Sequence, residues 1–178
     1  MFKKSFSNDV KLLIKMRIFS RGFIIVIFFT LLTFASSVFS AEGEILASQY
    51  INPGSRLYVV KRAWEKARDY FTYSYEGKMK YHSYLLGKRM SELTYVVENK
   101  MVSEIEKASN RVSFEAGKAV ENWEKTKAYD DKNKLRQKIE FYKGYLPDLR
   151  DKFPANSSYW LLIQQNIDSF GILLDKLK

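Results

Sequence analysis

Between residues 102 and 123 the positions Val102, Ile105, Ser109, Val112, Ala116, Ala119 and Trp123 follow one another at spacings of three and four. That period is the α-helical one. It lines all seven up on one narrow face, so the segment reads as an amphipathic helix with a seam to bury against neighbours. Similar stripes flank it. Leu57, Val60, Trp64, Ala67 and Phe71 follow Pro53 and Gly54, with Ser55 as the expected N-cap. Met79, His82, Leu86, Met90 (with Arg89 beside it), Leu93 and Val97 follow Ser74, a second expected cap, and end near residues 98–100. Leu135, Ile139, Tyr142, Leu146, Leu149 and Phe153 make a fourth stripe. Trp160, Ile163, Ile167, Phe170, Leu174 and Leu177 make a fifth, opened by Ser157 or Ser158.

The third and fourth stripes are out of register by two residues: continuing from Trp123 predicts core positions at 126, 130, 133 and 137, whereas the next stripe starts at Leu135. A turn is therefore expected around Tyr129 to Asp131, with an aspartate capping the fourth helix. Pro147, close to Gly144, should bend that helix, because proline lacks the ladder N–H and its ring crowds the carbonyl of Lys143. Only 8 Gly and 3 Pro occur in 178 residues, too few for the turns of a many-stranded sheet. The expected fold is all-α: an extended antiparallel helical bundle, coiled-coil-like, of about five helices, each packed on its sequence neighbour.

The N-terminal segment bears on location. Residues 1–21 carry six Lys/Arg against Asp9, half of the chain's +10 net charge, and "GFIIVIFFTLLTFASSVFSA" then runs through residues 22–41 without a charge. This predicts a basic cytoplasmic leader followed by the h- and c-regions of a signal peptide, with cleavage between Ser40 and Ala41, or by an uncleaved transmembrane anchor. Both place the N-terminus inside and the body outside, secreted or membrane-anchored. Residues 42–54 read as a linker and 55–178 as an extracytoplasmic helical domain. The body retains a net charge of +5, a mixed-charge surface compatible with anionic lipid or a cell-wall polymer. Nucleic acid is disfavoured by location, and the lack of cysteine excludes disulfides and thiolate sites.

Pro53, Ser55, Leu57, Tyr58, Lys61, Arg62 and Glu65, then Lys78, His82, Leu85, Arg89, Met90 and Glu92, form a pattern. It resembles a bacterial domain family of unknown function whose members follow a signal or transmembrane segment and are all-helical. The resemblance is best over residues 53–93. It implies an exported helical domain and brings no activity, ligand or catalytic residue with it.

No phosphate loop, nucleophile elbow or zinc-protease helix occurs, and His82, the only histidine, has Met79 three positions before it in place of the Glu of di-iron bundles. No catalytic, cofactor-binding or metal residue is therefore assigned, and no cofactor is expected. Tyr58, Glu65, His82 and Arg89 are read as a structural polar cluster. Folding the first two helices back around residues 72–74 sets Trp64 against His82, Glu65 beside His82, and Tyr58 near Arg89. Tyr70, Tyr73, Tyr75, Lys78, Lys80, Tyr81 and Tyr84 form a candidate interaction patch for sugars or a membrane interface. The expected function is a non-enzymatic interaction or scaffold module at the bacterial cell envelope, holding an envelope protein, anionic lipid or cell-wall polymer. The alternative is an envelope stress or ligand sensor acting through a membrane partner.

Overall fold

The computed structural model describes residue 46, residues 49–126 and residues 129–178, the last stretch without the side chains of 129 and 130. The leader, the apolar run and the expected cleavage site at Ser40 and Ala41 lie outside the described residues. Five helices and no strand are found among those described: α1 (Tyr58–Phe71), α2 (Tyr75–Glu98), α3 (Val102–Thr126), α4 (Tyr129–Arg150) and α5 (Ser158–Lys176). All belong to one unit, Ile45–Lys178. None is long and apolar enough to cross a membrane.

The helix ends show local chemistry. Ser74 and Ser157 cap α2 and α5 by accepting from the backbone N–H groups of Gly77 at 3.0 Å and Trp160 at 3.3 Å. Asn156, just before Ser157, takes a left-handed φ of 64°, a conformation that asparagine tolerates better than most residues. Ser55 is not the cap of α1. That position is Leu57, whose N–H donates to Ser55 Oγ at 3.3 Å as part of the turn before the helix. Gly54 enters this turn at φ 91°, a backbone conformation that favours glycine, while a Cβ there would meet only the flexible end of Met101.

Helices α2 to α5 form a helical bundle whose core is built from the stripes. Leu86, Met90 and Leu93 of α2, Ile105 and Val112 of α3, Ile139 and Leu146 of α4, and Ile163 and Phe170 of α5 are all fully buried. Each such side chain contributes roughly 1.5–3 kcal/mol relative to exposure. α4 continues through Pro147, with Leu146 and Leu149 buried on either side. Residues 129–131, where the turn was expected, are already helical in α4.

The pairing also departs from the simple neighbour rule. α2 packs on α3 and α4 on α5, but α3 packs more extensively on α5 than on α4. A polar knot marks that contact. Asn166 Nδ2 donates to Ser109 Oγ at 2.7 Å, Ser113 bonds the Asn166 side-chain carbonyl, and Ser109 donates to the Leu162 carbonyl at 3.1 Å. Sliding α5 by one turn would break all of these bonds inside an apolar seam, so the knot fixes the register.

Candidate functional site

α2 is buried on two sides. One carries Leu86, Met90 and Leu93 into the bundle core; the other presents Tyr81, His82, Arg89 and Glu92, all buried as well. Charges in such a place need partners, and α1 supplies them.

α1 meets the bundle with its polar side, contrary to the expectation that Leu57, Val60, Trp64 and Phe71 pack against α2. Tyr58 and Glu65 are buried, while Val60 is 65% exposed, Phe71 66% and Trp64 45%. Trp64, expected against His82, is thus left half-exposed. The physical reason lies in the relative costs. Leaving an apolar side chain in water forfeits roughly 1.5–3 kcal/mol; leaving a buried charge unpaired costs about 3–5 kcal/mol. The charges on α2 decide which side of α1 turns inward.

Arg89, with no exposed surface, is the hub. Its Nη1 donates to both carboxylate oxygens of Glu92, at 2.6 Å each, and its Nη2 to Glu65 of α1. Glu92 also accepts from Lys61 Nζ at 2.8 Å and Tyr58 O–H at 2.6 Å. Arg111 of α3 donates to the Tyr58 hydroxyl oxygen at 2.8 Å. Lys61 reaches back to Gln49 Oε1 at 2.7 Å and the Ile51 carbonyl at 3.0 Å, pinning the segment ahead of α1. Tyr81 donates to the Glu65 carbonyl at 2.9 Å.

His82 is bracketed by carboxylates: Nδ1 lies 2.7 Å from Glu115 of α3, and Nε2 lies 3.2 Å from Asp69 of α1. Glu65, expected beside His82, instead engages Arg89 and Arg62, with Lys88 3.6 Å away. Arg89 Nε and Glu65 Oε1 stop short of hydrogen bonds; the nearest ion partner of Arg89 Nε is Glu115 at 3.8 Å. Asp69 Oδ1, though 3.2 Å from His82 Nε2, likewise makes no hydrogen bond.

Tyr58, Glu65, His82 and Arg89 thus lie in one buried network together with Lys61, Asp69, Glu92, Arg111 and Glu115. Sequence reasoning left Lys61, Asp69, Glu92, Arg111 and Glu115 out of the cluster, although Lys61 and Glu92 stood in the pattern of residues 53–93. A usable signal existed for Glu115, a charge directly beside Ala116 on an otherwise apolar stripe.

The electrostatics follow from the pairing. Burial pushes the Glu92 carboxyl up, but Arg89, Lys61 and Tyr58 outweigh it and hold it below its ordinary 4.5. Burial, reinforced by Glu92, raises the Tyr58 hydroxyl, and burial lowers Lys61 despite Glu92. In the unfolded chain Glu92 takes up a proton at a higher pH than in the folded one. Its contribution is present above pH 4.5 and is lost as pH falls through the lower folded value. Melting temperature is therefore expected to fall on acidification below that point, with a shallower fall in Glu92→Gln. An unchanged acid slope in that variant would separate Glu92 from acid stability.

The tyrosine patch is not one surface. Tyr70, Tyr73 and Tyr75 are exposed, whereas Tyr81 is buried in the network, which removes it from any patch. Tyr84 and Lys78 are half-buried, and Lys88 lies over the Tyr84 ring at 4.8 Å. Lys80 pairs with Glu76 at 2.5 Å and lies 3.4 Å from Asp131 of α4. Among the described residues no group of three or more acidic or histidine side chains is placed to hold a metal ion.

The chain matches no family model, curated protein or solved structure. The reading of function therefore rests on geometry and on the N-terminal sequence.

Proposed function

We propose that this chain is an exported, non-catalytic interaction module that works in the bacterial cell envelope, at the outer face of the membrane. One observation carries the reading: α1 turns Tyr58, Lys61, Glu65 and Asp69 toward a largely buried network and its apolar side to solvent. An amphipathic helix so oriented presents a contact surface. Arg89 joins Glu65 of α1 to Glu92 of α2, and Lys61 of α1 also holds Glu92, an arrangement suited to a clamp that holds a helix in place. The basic leader and charge-free run of residues 1–41, and the resemblance to exported helical domains, support the envelope location.

A photo-crosslinking residue in place of Val60 should give light-dependent adducts in the native cell. The same residue in place of Gln137, exposed on α4, should give few. Absence of any adduct, protein or lipid, at position 60 would overturn the reading.

A sensor in which α1 lifts away is the second reading. It is favoured by the polar character of the α1 attachment, whose bonds converge on Arg89 and Glu92 and so can be lost together.

A further inference from the structure

From the outward face of α1 we infer that this helix docks on a lipid bilayer surface bearing anionic headgroups. The inference rests on the envelope reading and names the partner. Val59, Val60, Trp64, Tyr70 and Phe71 project from one side of α1, with Leu57 at its start, and all are exposed. Tryptophan and tyrosine beside aliphatic residues suit the boundary between headgroups and acyl chains. The charge pattern is one-sided. Both acidic residues of α1, Glu65 and Asp69, turn to the network, so the exposed charges on or next to the face are Arg56 and Lys66. That sign complements anionic headgroups. A second copy of the chain would bring these cations together across a two-fold axis with no acidic partner on the face, which disfavours self-association there.

Chain length adds to the case. The charge-free run ends at Ala41 and the face begins at Leu57. Sixteen residues span at most about 58 Å when fully extended, so a run held in a bilayer keeps the face within reach of that surface. The network answers the usual difficulty of an interfacial helix, whose polar side must also be accommodated. Here the bundle takes the polar side and the bilayer takes the other.

The chain has no cysteine, so one introduced at Val60, and separately at Ala63, carries a nitroxide label at a unique site on this exposed face. Gln137→Cys on α4 is the control. The full-length protein is placed in vesicles of 3:1 phosphatidylcholine and phosphatidylglycerol, and collision of each label with oxygen and with a water-soluble nickel chelate is measured. Lipid docking predicts that labels at 60 and 63 collide more with oxygen and several-fold less with nickel than the label at 137. Lys66→Gln should lower the docking equilibrium constant about fivefold, the factor equivalent to about 1 kcal/mol per basic residue. Labels at 60 and 63 as exposed to nickel as the control would overturn the inference. So would labels shielded from both reagents, the signature of a protein contact. In either case, protein adducts at position 60 in the cell would leave the interaction-module reading standing. Absence of all adducts would remove both.

Discussion

Replacing Arg89 by alanine is expected to lower the unfolding free energy by about 3–5 kcal/mol, the usual cost of breaking a buried ion pair from one side. The change strips Glu65 and Glu92 of their shared cation. Only Lys61 and Tyr58 are left on Glu92, and Arg62 and Lys88 near Glu65. Arg89→Lys should recover part of the loss, because an ammonium cannot reproduce the fork that holds Glu92 with one nitrogen and Glu65 with another. Denaturant unfolding followed by helical circular dichroism provides the measurement. A loss below about 1 kcal/mol for the alanine variant would show that the network contributes little to the fold.

Glu65→Ala should act more locally. Glu65 is the α1 side of the Arg89 bond, while Arg89 retains Glu92. A hydrogen bond to a charged group is worth about 1.5–3 kcal/mol, so α1 amides should exchange with solvent roughly 10- to 100-fold faster. Amides of α3 to α5 should change little. In a double-mutant cycle, Glu65 should couple more strongly to Arg89 than to His82, in keeping with their direct contact. Uniform acceleration along the whole chain would mean that α1 is an integral part of the bundle and does not open separately.

The two ends of the network explain which parts of the fold were legible. The stripes of α2 to α5 could be read from spacing because their cores are apolar: Ile105, Val112 and Ala116 belong inside, whatever the neighbour, and they are inside. The register break after Trp123 was visible for the same reason, although the start of α4 at Tyr129 was not, since helix boundaries leave a weaker trace than helix faces. α1 defeats the rule. Its stripe is as regular as the others, but periodicity shows which side is apolar without showing whether the neighbour wants an apolar partner. The answer lay in another helix, where Arg89 and Glu92 lie buried along the flank of the apolar stripe of Leu86 and Met90. Reading it required matching charges across helices, Lys61 and Glu65 to Glu92 and Arg89, before matching apolar residues. The α3–α5 pairing was hidden differently, because two stripes of equal quality do not announce which will meet.

That last pairing sets an order of events for the newly made chain. The Ser109–Asn166 bond joins positions 57 residues apart, and closing a loop of that length costs about 3–4 kcal/mol beyond a constant. α2 and α3 can form a hairpin as soon as both have emerged, but the side of α3 that α5 covers stays bare until Phe170 is available. At common synthesis rates of about 5–20 residues per second that interval lasts roughly 2–9 seconds. During it the chain is a half-closed hairpin with a sticky flank, so the step most vulnerable to aggregation is the wait for its final helix. A slow codon between α3 and α5 would lengthen that exposure more than a pause anywhere earlier.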